Sequence, residues 1–142
     1  MLNDEVNREM MKRKASPKSP PKARKGVCEV NVVDAGKVAD ARASLPSEQE
    51  LRRAADAFRV LANPNRLRVM TALKGRELCV CDLREVLGIS MSGTSQVLRE
   101  LRNLGAVEFR VEGKLAYYQL ADTYWLELAE SVYDKLAVVG TR

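Results

Sequence analysis

The chain has 142 residues, enough for one compact domain and a tail rather than two domains. It contains no histidine, which excludes histidine-based triads, histidine general bases and histidine-containing zinc sites. The net charge of +5 lies entirely in residues 1–25, with eight basic and three acidic side chains; the remainder balances at 16 against 16, so any DNA contact there must come from local arrangement.

No Gly-rich phosphate loop or nucleophile elbow is present, and an enzyme is not expected. No apolar run approaches a membrane span and the N-terminus lacks the apolar core of a secretory signal, so a soluble, cytoplasmic protein without membrane association is expected. Three cysteines, an odd number in a reducing compartment, argue against a disulfide framework.

Residues 1–25 form the first region. From Lys12-Arg13-Lys14 through Pro17, Pro20 and Pro21 to Arg24-Lys25 they are basic, proline-rich and poor in apolar groups. Such a stretch buries too little surface to offset its ordering entropy and is read as a disordered tail. It either attracts DNA phosphates non-specifically or is a solvated extension.

Residues 26–47 are read as an N-terminal arm, with Val27–Val33 alternating roughly as a short strand or extended segment. Residues 48–138 form the folded domain. Pro46-Ser47-Glu48 marks a helix start, and Leu51, Ala54, Ala55, Phe58, Leu61 and Ala62 recur at helical spacing to about residue 62. Asn63-Pro64-Asn65 breaks that helix. A second, over about 65–74, carries Leu67, Met70 and Leu73, and Gly75 ends it.

Leu78–Val80 reads as extended. Asp82, Leu83, Val86 and Leu87 make a short helix closed by Gly88, and Ser90 caps a helix running to Leu104 and stopped by Gly105. Two alternating runs, 106–111 and 114–120, flank Glu112-Gly113 as a hairpin. A final helix over about 122–137 carries Trp125, Leu128, Ala129, Val132 and Leu136. This order is that of a winged helix-turn-helix, mainly α with a small β-hairpin. The wide apolar stripes on the first and last helices of the domain point to packing on a partner subunit, hence a homodimer.

On the helix from Met91 to Leu104, the positions Met91, Ser95, Leu98 and Leu101 are expected in the core. Ser92, Gln96, Arg99 and Asn103 fall on the other side. Short hydrogen-bonding groups near a helix N-terminus, with arginine further along, suit the major groove of double-stranded DNA. Gln96 can pair with adenine and Arg99 with guanine or phosphate, while Ser92, Thr94 and Ser95 can contact bases or phosphates. Such a face also occurs on any solvated helix; the preceding helix, glycine turn and hairpin tip the reading toward DNA. Arg110 and Lys114, flanking the wing turn, either hold phosphate or face solvent.

In an extended segment residues i and i+2 share a face, so Cys79 and Cys81 can converge on one ion while Val80 faces the core. The helix beginning at Cys81-Asp82 favours thiolate through its dipole. Cys28 is the third thiol; if the arm folds over, three sulfurs would form a trigonal site suited to Pb(II) or As(III), and to Cd(II) with an added water or carboxylate. The competing reading is three small buried apolar side chains.

Several segments carry a resemblance: Glu77-Leu78-Cys79-Val80-Cys81-Asp82-Leu83, Gly88-Ile89, Ser95-Gln96-Val97-Leu98, Gly105-Ala106-Val107 and Phe109 through Tyr118. They resemble the ArsR/SmtB family of metal-sensing repressors from about residue 50 to 135. Val27-Cys28-Glu29-Val30 is similar to the arm of its cadmium- and lead-sensing, CadC-like branch. The resemblance implies a homodimeric repressor that binds operator DNA when metal-free and releases it on binding metal, with Cys28, Cys79 and Cys81 as inducer ligands. In that branch the arm of one protomer completes the site on the other. The inducer implied is Cd(II) or Pb(II), with As(III) or Hg(II) as neighbours.

The chain departs from the pattern at Val32, where the branch usually has a second arm cysteine. Gln96-Val97 stand where the family often has a histidine pair. The family's second site, histidines with carboxylates on the last helix, has only Asp122, Glu127 and Glu130 nearby. The alternative function is a thiol-redox-responsive or constitutive winged-helix regulator.

Overall fold

The computed structural model describes residues 26–140. Packing divides the chain into two compact units, with the boundary between Leu45 and Pro46. The expected disordered tail, 1–25, lies outside the described residues.

In the first unit, residues 28–34 form neither helix nor strand, so of the two forms read for 27–33, a short strand or an extended segment, the strand is not built. A helix the sequence reading did not anticipate follows, α1 (Ala35–Ser44), capped by Asp34, whose carboxylate accepts from Lys37 N at 3.0 Å. It has no buried residue. Its sequence, AGKVADARAS, carries no apolar period to announce it; the Asp34 cap is the one local signal.

The second unit is a winged helix. Helix α2 (Glu48–Leu61) opens with a capping box: Ser47 N donates to Glu50 Oε2 at 2.8 Å and Glu50 N donates to Ser47 Oγ at 3.2 Å. The backbone and hydroxyl donors of Ser47 hold the Glu50 carboxyl below the usual carboxylate range. Asn63 caps α3 (Pro64–Ala72), accepting from Asn65 N at 2.9 Å and Arg66 N at 3.3 Å. The Asn-Pro that ends one helix thus begins the next, since proline at the first helical position has no N–H to leave unsatisfied.

Strand β1 (Leu78–Cys79) leads directly into α4 (Val80–Leu87), and Ser90 caps α5 (Met91–Leu104), accepting from Gly93 N at 3.0 Å. Gly105 ends α5 at φ +77°, a left-handed conformation that a Cβ would strain. Strands β2 (Val107–Glu112) and β3 (Leu115–Leu120) form the wing, turning through Gly113, at φ +59°, and Lys114. The hairpin was expected, and so was an extended run over Leu78–Val80; its pairing into the sheet as a third strand was not. β1 pairs with β3, giving the antiparallel order β1-β3-β2. Helix α6 (Tyr124–Gly140) closes the described chain.

Val69, Met70, Leu73, Leu83, Leu98 and Leu101 are essentially inaccessible at the centre of the core. Around α5 it is sealed by α2, α3, α4 and β2. The apolar stripes of α2 and α6 behave differently. Phe58 is 60% exposed and Leu136 62%, and both helices border an apolar cavity of about 220 Å³ lined by Phe58, Leu61, Leu67, Leu128, Val132 and Tyr133. Among the described residues no helix is long and apolar enough to cross a membrane.

Candidate functional site

Two groups of residues carry chemistry in the second unit: the thiol pair at the head of α4 and the polar face of α5 with the wing beside it.

The expected extended geometry of Cys79 and Cys81 is corrected. The strand stops at Cys79, which is the N-cap of α4; Cys81 lies inside the first turn. The cause is a capping box built with sulfur. Cys79 N donates to Asp82 Oδ2 at 3.1 Å, and Asp82 N donates to Cys79 Sγ at 3.5 Å. The thiol itself donates to Asp82 Oδ2 at 3.1 Å. Leaving the strand at Cys79 places the two sulfurs in different surroundings, Cys79 buried and Cys81 exposed. Val80 packs against the core as expected.

Sulfur and carboxylate oxygen 3.1 Å apart can share one ion, so the Cys79–Asp82 cap fits a thiophilic cation as part of its donor set. Cys28 is exposed and belongs to the first unit. Among the described residues no three cysteine, aspartate or glutamate side chains gather in a geometry that would hold a metal ion.

On α5 the buried face consists of Thr94, Val97, Leu98 and Leu101. Three assignments change. Ser95, expected in the core, is exposed; Met91, also expected there, is 40% exposed. Thr94, named among DNA contacts, is inaccessible, and its hydroxyl donates to Ser90 O at 2.9 Å. A β-branched residue in the first turn of a helix turns its hydroxyl back on the preceding turn and its methyl inward. Thr94→Val is therefore expected to leave operator affinity unchanged when measured by fluorescence anisotropy, because the carbonyl it loses is still bonded by Thr94 N at 2.9 Å.

Ser92, Ser95, Gln96, Arg99 and Asn103 are all exposed. The Gln96 amide donates to Glu100 Oε1 at 3.1 Å, which holds it across one helical turn. Arg99 has no carboxylate partner among the described residues, leaving its fork of donors open. Arg102, not among the expected contacts, stacks over Phe109 at 4.9 Å and ties α5 to the wing.

In the wing, Lys114 is exposed at the turn. Arg110 is exposed too, but not available. Its Nε lies 3.0 and 3.1 Å from the Glu77 oxygens, its Nη2 is 2.6 Å from Glu77 Oε1, and its Nη1 is 2.6 Å from Glu112 Oε2. Hydrogen bonds donated to Glu77 first, then to Glu112, push the guanidinium pKa above its ordinary value. The sequence left Arg110 between a phosphate contact and solvent; here its guanidinium pairs with two carboxylates. Glu77 lies 33 residues away in sequence, so no local pattern could have revealed the pair.

Comparisons with known proteins agree with the winged-helix fold. The family described as "Bacterial regulatory protein, arsR family" matches residues 63–108, from the cap of α3 into β2. A "Transcriptional repressor SmtB homolog" of Synechocystis sp. is 37% identical over 110 residues, covering 78% of this chain and 83% of that protein. A "Cadmium resistance transcriptional regulatory protein CadC homolog" of Staphylococcus aureus is 36% identical over 111 residues, covering 77% and 90%. Among solved structures, Rv0081 of Mycobacterium tuberculosis superposes with a TM-score of 0.62 at 32% identity, over 67% of this chain and 96% of that one. The winged helix-turn-helix DNA-binding domain of Mb0332 from Mycobacterium bovis, described as homodimeric, gives 0.56 at 27% identity, over 66% and 93%. This chain belongs to the ArsR family and is a DNA-binding transcriptional regulator, not an enzyme.

Proposed function

We propose that this regulator is a metal-responsive repressor. As a homodimer it holds operator DNA when metal-free, and it lets go when a soft ion occupies the thiolates of Cys28, Cys79 and Cys81. The inducer is Cd(II) or Pb(II), with As(III) and Hg(II) as the neighbouring thiophiles. The observation that carries the reading is the Cys79–Asp82 cap: a buried thiol at the N-terminus of the helix preceding α5, with a carboxylate oxygen at 3.1 Å and a second thiol two residues on.

The chemistry supports both halves. Sulfur ligands select soft ions over the abundant hard ones. Satisfying an ion at Cys79 draws the sulfur and Asp82 away from their roles in the cap, at the head of the helix against which α5 packs. A coupling of about 2–3 kcal/mol between the two sites is enough to release a promoter. The relatives named for cadmium resistance favour the same inducer class. The open apolar faces of α2 and α6 favour the homodimer, which would cover them.

The arm, residues 26–47, then acts as the carrier of Cys28 and residues 48–138 as the DNA-binding and dimerising domain. The exposed Ser92, Ser95, Gln96, Arg99, Asn103 and Lys114 are the proposed DNA contacts. An anaerobic ultraviolet titration of the reduced chain with Pb(II), Cd(II) and As(III), beside Cys28→Ser, tests the site. The expected result is a sulfur-to-metal charge-transfer band saturating at one ion per protomer and weakened without Cys28. No saturable band with any of the three ions would remove the metal reading.

A further inference from the structure

The Glu77–Arg110 pair spans the sheet. Cys79 on β1 and Arg110 on β2 are both directly opposite Tyr117 on the middle strand, so the three residues form one row. The Arg110 guanidinium carbon sits over the Tyr117 ring, 4.7 Å from its centroid, and the guanidinium grips the carboxylate of Glu77, two residues before Cys79. β1 itself contributes only the pairings Leu78 with Tyr118 and Cys79 with Tyr117. A side-chain bridge over the middle strand thus adds a second link, beside this short pairing, between the thiol-bearing segment and the wing.

We propose that Glu77 and Arg110 are a positioning pair that couples the Cys79 segment to the wing, so that a change at the thiols alters DNA affinity through this bridge. Arg110 on this account is not a phosphate contact. The proposal rests on the metal-responsive reading above. Two features argue for it. A guanidinium fork held by both oxygens of one carboxylate keeps a fixed direction, as a lone lysine could not. And one cation between Glu77 and Glu112 leaves the cluster net negative, which repels phosphate rather than recruiting it.

The bridge is half-exposed, with the Glu77 and Arg110 side chains 28% and 52% accessible, so it contributes little to stability and its removal spares the fold. That separates coupling from folding. The experiment compares the full chain with Glu77→Gln, Arg110→Gln and the charge-conserving Glu77→Asp. Operator affinity is measured by anisotropy across a salt series, metal-free and with Cd(II), beside thermal melts and the charge-transfer titration.

In both glutamine variants the ratio of operator affinities without and with Cd(II) is expected to fall about fivefold or more, the low end of ordinary coupling. Melting, Cd(II) stoichiometry and the metal-free salt slope stay those of the parent, and Glu77→Asp retains most of the ratio. A parental ratio in the glutamine variants overturns the coupling while leaving the metal-responsive reading intact. A salt slope lower by about 0.9 per protomer in Arg110→Gln identifies a phosphate contact instead and also overturns it. If the parent chain binds operator but shows no loss with Cd(II), the metal-responsive reading fails, and the coupling with it.

Discussion

Leu98→Ala is expected to destabilise the second unit by about 2–5 kcal/mol, the range for deleting a large aliphatic side chain from a site that cannot collapse. Leu98 is 1% exposed on the inner face of α5, in one cluster with Met70, Leu73, Leu83 and Leu101. Helices α2, α3 and α4 and strand β2 all pack on α5, so no single element can move in to fill the void. Domains of this size have total stabilities of about 5–15 kcal/mol, so the loss is a large fraction of the whole. Urea denaturation followed by circular dichroism reads it as a lower midpoint at unchanged slope. A cost below about 1 kcal/mol, the level of an ordinary surface change, would mean that α5 is not anchored as described.

Arg99→Ala is expected to cost operator affinity about 1–3 kcal/mol for each protomer that engages DNA, the value of a bidentate contact to guanine, while leaving the fold untouched. Arg99 is exposed and unpaired by any carboxylate among the described residues, so it loses no partner on binding. Gln96→Ala is expected to act in the same direction but less strongly. Its amide already donates to Glu100 at 3.1 Å, and a base edge has to replace that bond. Anisotropy with operator and with scrambled DNA separates the two ways Arg99 can act. Loss confined to the operator marks base reading; equal loss on both, with a shallower salt slope, marks phosphate. No loss on either would place the reading face elsewhere.

The contrast between Arg99 and Arg110 shows why charge counting alone misleads in this chain. Both are exposed arginines on elements that a winged helix presents to DNA. One has its donors open and the other has them filled by Glu77 and Glu112. The folded part balances its charges, so whether a given cation is free is decided pair by pair.

The sequence by itself determined the order of the elements in the second unit and most of their ends. Ser47, Asn63, Ser90, Gly88, Gly105 and Gly113 mark boundaries through hydrogen bonds and backbone conformations that reach only a few residues, so a short window contains all the physics. The apolar period likewise located Met70, Leu73, Leu98 and Leu101. Only the tertiary structure decided the remainder. Periodicity cannot choose between adjacent positions in the first turn of α5, and packing against α4 and α3 put Thr94 rather than Ser95 inside. The capping box ends the strand locally at Cys79, but the burial of that thiol beside an exposed Cys81 depends on β1 pairing with Tyr117, 38 positions on along the chain. Arg110 found its carboxylate the same way, across a sheet whose third strand is two residues long, too short for its pattern to name a partner.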